Sequence, residues 1–379
     1  MYLSIFFYTR HAIIASMHEL RLKNLQNLLK SKKIEGFLVS SVPNILYLTG
    51  VDYFTPEERY AYMFITNRTA YLFTDRRYIE VVKNIVPKGV KTLLHTELFK
   101  IIKNSNVKSI GFEQNLTFAE YIRFKKETSL NYYLTDWLIE KLRSVKDSQE
   151  IKNIRPACKL TDKTYSHVLK NMRIDITEKE IAWRIDKFIK ENGGELSFDT
   201  IVAFGANAAI PHHKTSNKKL SKDDQFVLLD FGAKVNGYCS DMTRTLLAKN
   251  AKSKAHKIYE TVSTAQQKVI DYINTSNGGR LSLRSHDSFE VVRVANKHIV
   301  SKGFDPISHG LGHGIGIEIH EEPRLSPKSK DKLVEGNVFT IEPGIYIPGF
   351  GGVRIEDDFL LTKNGLEQLT SSPKQIIEV

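Results

Sequence analysis

The chain has 379 residues, 41% hydrophobic and 26% charged, and contains no low-complexity tract. That length exceeds one ordinary core, so two domains are expected, and no run approaches the roughly 20 apolar residues of a membrane span. The net charge of +12 comes from lysines spread along amphipathic segments (Lys23, Lys30, Lys32 and Lys33; Lys249, Lys252, Lys254 and Lys257), not from one basic arm. This reads as a solvated surface and argues against nucleic acid or a membrane as partner. Two cysteines, Cys158 and Cys239, form neither a disulfide framework nor a metal-spaced pair, so a reducing, cytoplasmic setting is expected.

Residues 1–16 make a poor signal peptide, because their apolar run is short and broken by Arg10. They read as an extra N-terminal segment, with Met17 as an alternative start. Residues 18–33 carry Leu20, Leu22, Leu25, Leu28 and Leu29 at helical spacing and predict an amphipathic helix. Residues 36–40 and 61–66 predict strands, and 70–74 predicts a hairpin partner for the second across Asn67 and Arg68. Strands and helices keep alternating, so 17–145 reads as a small α/β domain, in which nothing has the spacing of a catalytic site.

The character changes near Lys146, and 146–379 reads as a second domain. Its first part is helical to Glu191, with a capping box expected from Asp175 to Glu178. After Gly193-Gly194 it turns strand-rich and glycine-rich, with long helices expected at 253–274 and 287–301.

Every chemically suggestive residue lies in that second part. Asp230 ends an apolar run, where an acid is costly to bury unless paired or metal-bound. Asn236-Gly237 is the strongest two-residue hairpin signal, and as the loop it sets Asp241 opposite Gly232. Asp230 and Asp241 then become diagonal neighbours on one face, roughly 7–8 Å apart at the backbone. Two side chains so placed can converge on metals about 3.5–4 Å apart; a salt bridge to Arg244 or a lysine is the plain alternative. A second turn centred on Gly349 places Glu342 opposite Glu356, and two facing glutamates repel unless a cation or proton lies between them. Between these pairs, His309, His313 and His320 fall in a run whose four glycines (310, 312, 314 and 316) disfavour a helix and allow close approach. One imidazole with four carboxylates is an oxygen-rich set suited to ions such as Mn²⁺ rather than to structural zinc.

The strings Leu-Asp-Phe-Gly, Ser-Asp-Met-Thr-Arg, His-Gly-Leu-Gly-His-Gly-Ile-Gly, Ile-Glu-Pro-Gly-Ile-Tyr and Arg-Ile-Glu-Asp occur in one order over residues 146–379. This part resembles the pita-bread metallopeptidases, which include aminopeptidase P, prolidase and methionine aminopeptidase. Asn44 to Gly50 gives the preceding part a weaker likeness to the creatinase/prolidase N-terminal domain. The resemblance implies an α/β (α+β) chain, with a creatinase/prolidase-type domain before a pita-bread catalytic domain. It implies five metal ligands, Asp230, Asp241, His313, Glu342 and Glu356. Asp241 and Glu356 would bridge two divalent ions, manganese first with cobalt, iron or zinc as alternatives.

By the same resemblance Glu342 is also the proton shuttle, and His212 faces the substrate from a neighbouring loop. His309 and His320 orient the substrate, Arg354 supports the bridging carboxylates and Tyr346 lines the pocket, while His213 reads as a surface residue. The activity implied is hydrolysis of an N-terminal Xaa-Pro bond in peptides by a metal-bridging hydroxide, in a homodimer. Xaa-Pro dipeptidase activity is the alternative. Methionine aminopeptidase fits less well, since those enzymes usually lack so large a preceding domain. A metal-free creatinase-like enzyme or scaffold fits less well because all five ligands are present.

Overall fold

Local chemistry sets the elements of the first unit, Met1–Arg143, one of two compact units in the chain; the second is Ser144–Val379. The computed structural model describes residues 2–275 and 286–376, with side chains from residue 17 onward. Helix α1 runs over Tyr2–Ser31, so the helix predicted from residue 18 begins earlier. Six strands form one sheet: β1 Gly36–Val39, β2 Tyr62–Thr66, β3 Ala70–Thr74, β4 Val90–Leu94, β5 Ser109–Phe112 and β6 Asn131–Leu134, in the order β4-β3-β2-β1-β5-β6. The β1–β2 and β2–β3 pairs are antiparallel and the rest parallel. Leu38, Phe64, Phe73, Ile110 and Phe124 fill one core of this unit. Between β1 and β2, helix α2 (Val42–Thr49) ends on Gly50 at φ +75°, where a Cβ would meet the His18 ring at 2.8 Å. Only glycine fits that cap.

The second unit begins with α3 (Ser148–Leu169) and α4 (Glu178–Glu191). The cap of α4 differs from the expected one. Thr177, in extended backbone, is the N-cap and closes a capping box with Glu180, whereas Asp175 is left-handed at φ +67°. Glu178 is thereby released from capping and faces inward.

Strand β7 (Ile201–Phe204) pairs with β8 (Phe226–Phe231), which pairs with β9 (Met242–Leu247). Alternation along β8 divides two cores. Val227, Leu229 and Phe231 pack with Ile181, Ile185 and Ile189 of α4. Phe226 and Leu228 join the core of the long helices α5 (Ser253–Thr275) and α6 (Ser288–Ser301). Asp230 continues the second row.

A five-stranded sheet completes the unit: β10 Gly312–Gly314, β11 Glu321–Leu325, β12 Val338–Ile341, β15 Asp357–Thr362 and β16 Gly365–Gln368, in the order β11-β10-β12-β15-β16. The hairpin of β13 (Gly344–Ile347) and β14 (Gly351–Arg354) rises from between β12 and β15.

Candidate metal centre

Two turns aim four carboxylates. Asn236 and Gly237 take φ of +52° and +76°, the doubly left-handed pair that a tight hairpin needs. The ladder sets Met242 against Phe231 and Thr243 against Asp230, the register that the turn predicts for Asp241 and Gly232. A Cβ on Gly232 would meet the Ser240 carbonyl at 1.8 Å, so the strands close here only because that residue is glycine. In the second hairpin Ile341 pairs with Asp357 and Gly344 with Arg354, which leaves Glu342 opposite Glu356 at the break between the two ladders.

His313 arrives from β10, which pairs with β12 at Gly314 and Phe339. Its neighbours Gly312 and Gly314 admit no Cβ, because one would meet the Thr340 carbonyl at 2.0 Å and the other the Glu322 carbonyl at 2.1 Å. The glycine run is therefore a packing requirement that brings the imidazole up to the carboxylates.

These residues share a cavity of about 490 Å³, lined by Asp230, Asp241, His313, Glu342 and Glu356, and also by His212, His309, His320 and Arg354. Tyr346 stands behind them: its hydroxyl accepts from Arg354 Nη1 at 2.9 Å and lies 2.9 Å from His309 Nε2. One ligand atom from each of Asp241, His313 and Glu356 lies within 4.8 Å of the others. His313 Nε2 is 3.6 Å from both Asp241 Oδ2 and Glu342 Oε1. His313 Nδ1 lies 3.1 Å from the Gly314 carbonyl, and as its donor it leaves the Nε2 lone pair facing the carboxylates.

Burial and like charge dominate the electrostatics. Burial pushes the Asp241 carboxyl far above the carboxylate range, and Glu356 and Asp230 add to the effect. Burial raises Glu342 likewise, with Glu356 beside it, and lifts Glu356 to about 7, with Asp230 as its neighbour. Burial and His320 hold His313 down to about 3, and burial with Arg354 takes His309 to about 4. Asp241 Oδ1 is buried without a hydrogen-bond partner among the described residues. Acids so placed cannot all ionise unless a cation joins them. The donor set, a neutral imidazole with crowded carboxylates, fits divalent ions.

Arg354 is the main protein cation here. Its Nη2 donates to Asp230 Oδ2 at 2.6 Å and its Nε to Thr243 Oγ1 at 3.0 Å, while Thr243 donates to Glu356 Oε2 at 2.6 Å. Thr243 went unremarked in the sequence, although it pairs with Asp230 across the hairpin. Asp358, which accepts from the Asp241 N–H at 3.0 Å, was also missed; its acidity alone distinguished it.

The histidines divide by their contacts. His309 has both ring nitrogens engaged, Nδ1 with the Gly310 carbonyl at 2.7 Å and Nε2 with the Tyr346 hydroxyl at 2.9 Å. Among the described residues no hydrogen bond holds the rings of His212 or His320, although His320 packs edge-on to His313 at 4.4 Å. His213 is not a surface residue: its side chain is 10% exposed and its Nε2 sits 2.9 Å from Glu178 Oε2. The buried carboxylate captures it, a partner the sequence could not show.

Comparisons with known proteins agree in both halves. Residues 152–363 match the model of metallopeptidase family M24, and residues 21–145 that of the creatinase/prolidase N-terminal domain. An Xaa-Pro dipeptidase of Pyrococcus horikoshii is 33% identical over 94% of this chain and 98% of its own length. The structure of an Xaa-Pro dipeptidase from Bacillus anthracis superposes with a TM-score of 0.87 at 34% identity, covering 96% of this chain and 100% of that one. That of an X-Pro aminopeptidase from Thermotoga maritima gives 0.82 at 29% identity, covering 94% and 99%.

Proposed function

We propose that this chain, which belongs to metallopeptidase family M24, hydrolyses the bond between an N-terminal residue and a following proline in peptides. It is a metallopeptidase with the expected fold, a creatinase/prolidase-type domain followed by a pita-bread domain in an α/β chain. The observation that carries the proposal is the convergence of Asp230, Asp241, His313, Glu342 and Glu356 on one cavity.

In this reading those five residues would hold two divalent ions, manganese first. When bound, the ions supply a hydroxide nucleophile near neutral pH and polarise the scissile carbonyl. The chain's own residues do the rest. His320 and His212, with unengaged rings, donate to the peptide and to the developing oxyanion. His309 acts through Tyr346, which it orders. Arg354 fixes the rotamers of Asp230 and, through Thr243, of Glu356. Glu342 Oε2, 3.9 Å from His309 Nδ1, carries the proton to the leaving imide nitrogen. That nitrogen has no hydrogen of its own, so selection rests on packing the ring against the apolar lining of Phe198, Ile201 and Ile319.

The cavity of about 490 Å³ falls in the ordinary range of ligand pockets and admits an aminopeptidase acting on longer peptides. The dipeptidase names of the Pyrococcus and Bacillus relatives favour a second reading, strict Xaa-Pro dipeptidase activity. Hydrolysis of Ala-Pro-Ala beside Ala-Pro, with Mn²⁺ and then with chelator, separates them. Tripeptide cleavage lost on chelation is expected; cleavage of the dipeptide alone selects the second reading, and cleavage of neither with metal bound rejects both.

The domain limits at 17–145 and 146–379, a homodimer and a cytoplasmic location belong to the same proposal. Sedimentation reads the second of these. Both cysteines are buried and unpaired, as a reducing compartment requires, and no described helix is long and apolar enough to cross a membrane.

A further inference from the structure

A second buried carboxylate in this unit is built in the opposite way from those at the metal centre. Glu178, at the start of α4, is fully buried and accepts five hydrogen bonds. Oε1 takes the Phe204 N–H and Asn207 Nδ2, both at 2.8 Å. Oε2 takes the Ser216 N–H at 2.9 Å, its hydroxyl at 2.5 Å and His213 Nε2 at 2.9 Å. All five donors lie between residues 204 and 216, the segment that carries Pro211 and His212 into the cavity wall.

Both ends of that segment are fastened independently. Lys218 Nζ donates to the Phe204 carbonyl and to Asp224, and Thr215 Oγ1 accepts the Val202 N–H. Gly205, at φ +51°, admits no side chain, because a Cβ would meet Asp224 Oδ1 at 1.9 Å. The middle reaches the centre twice. The Pro211 carbonyl accepts from Arg354 Nη1 at 3.3 Å, and the Ala208 carbonyl lies where a Cβ on Gly352 would come within 2.5 Å. At the tip, a turn from Ile210 to His213 sends consecutive imidazoles apart, His213 to Glu178 and His212 to the cavity.

We infer that Glu178 is a positioning residue for the peptidase reaction: by gripping His213 and both shoulders of the 204–216 segment, it sets where the His212 imidazole meets the substrate. The inference rests on the reading of His212 as a substrate-facing group. Glutamine cannot replace Glu178, because its amide nitrogen has no lone pair for the donors that one oxygen now serves. A displacement of His212 by about an ångström is the size of error that costs up to a hundredfold in rate.

The test is a double-mutant cycle on kcat/KM for Ala-Pro-Ala and Ala-Pro, using the full chain loaded with Mn²⁺. Glu178→Gln is expected to lose about ten- to a hundredfold, with metal content unchanged. Added to His212→Ala, it should cost little more, since the ring it positions is gone. Losses that multiply, or a Glu178→Gln protein as active as the parent, overturn the inference. His213→Leu, which removes one donor of five, gives a smaller loss of the same kind and serves if Glu178→Gln does not fold. Amide exchange over 204–216 is read on the same proteins and needs no substrate. Faster exchange in Glu178→Gln supports the grip, and unchanged exchange overturns it, even if the parent cleaves neither peptide and the reading of function fails.

Discussion

Glu113 in the first unit and Glu356 in the second are both buried glutamates whose carboxyls burial lifts to about 7. Their surroundings differ. Glu113 accepts the Ser40 and Ser41 N–H groups at 2.6 and 2.8 Å and Asn44 Nδ2 at 2.6 Å, which ties the end of β1 and the start of α2 to the end of β5. Glu356 accepts one hydroxyl and faces other acids, while nearby Asp241 keeps an oxygen with no donor among the described residues. Burial alone therefore does not mark a reactive carboxylate. What separates the two is whether the fold supplies donors or leaves the acids to a ligand, because an unpaired buried polar group costs roughly 1–3 kcal/mol and persists only for a reason.

The contrast is broken most completely at Asp241. Asp241→Asn is expected to abolish both tight metal binding and hydrolysis while the fold survives, read by metal analysis, circular dichroism and peptide assay. Two tightly held ions in that variant would remove Asp241 from the bridging role. Arg354→Met should lower metal affinity or activity about ten- to a hundredfold, because the carboxylates lose the group that orients them. His320→Ala should reduce turnover with both ions retained; a loss of metal there would show that it is a ligand instead.

The sharpest test of the other side is the pH response of Glu113, whose buried neighbourhood also includes Glu140. A carboxyl raised in the folded state binds its proton more tightly there than in the unfolded chain. Its contribution is complete below the ordinary carboxylate range and is lost as pH rises toward about 7. The first unit should lose on the order of 3 kcal/mol over that interval, and Glu113→Gln should flatten the slope with metal content unchanged. Glu178 gives the smallest effect and the opposite sign. Burial pushes its carboxyl up, but the bonds from Ser216, His213, Phe204 and Asn207 outweigh that and hold it below the usual value. Its contribution is present above the ordinary range and fades in acid, so protection from exchange at Phe204 and Ser216, corrected for the intrinsic rate at each pH, should fall as pH falls while protection at Ser40 and Ser41 rises.

Much of the site was legible in the chain because hairpin register is local. Asn236-Gly237 and the turn at Gly349 fix which residues face one another, and the two-residue period of a strand fixes their faces. From those rules Asp230 and Asp241 fall on one face and Glu342 lies opposite Glu356, as the ladders have it. The helix cap at Thr177 was misassigned for an equally local reason: two acids, Glu178 and Glu180, stand within reach of two candidate caps, and propensity does not choose between them.

Only the tertiary structure decided what lies outside that range. Nothing local brings Arg354 to Asp230, 124 residues away, or turns His213 inward to Glu178 while His212 faces the cavity. Turn type and alternation act over a few bonds and leave their mark in residue identity. The partner of a buried charge is chosen by how whole sheets and helices pack, where every alternative leaves some polar group unsatisfied.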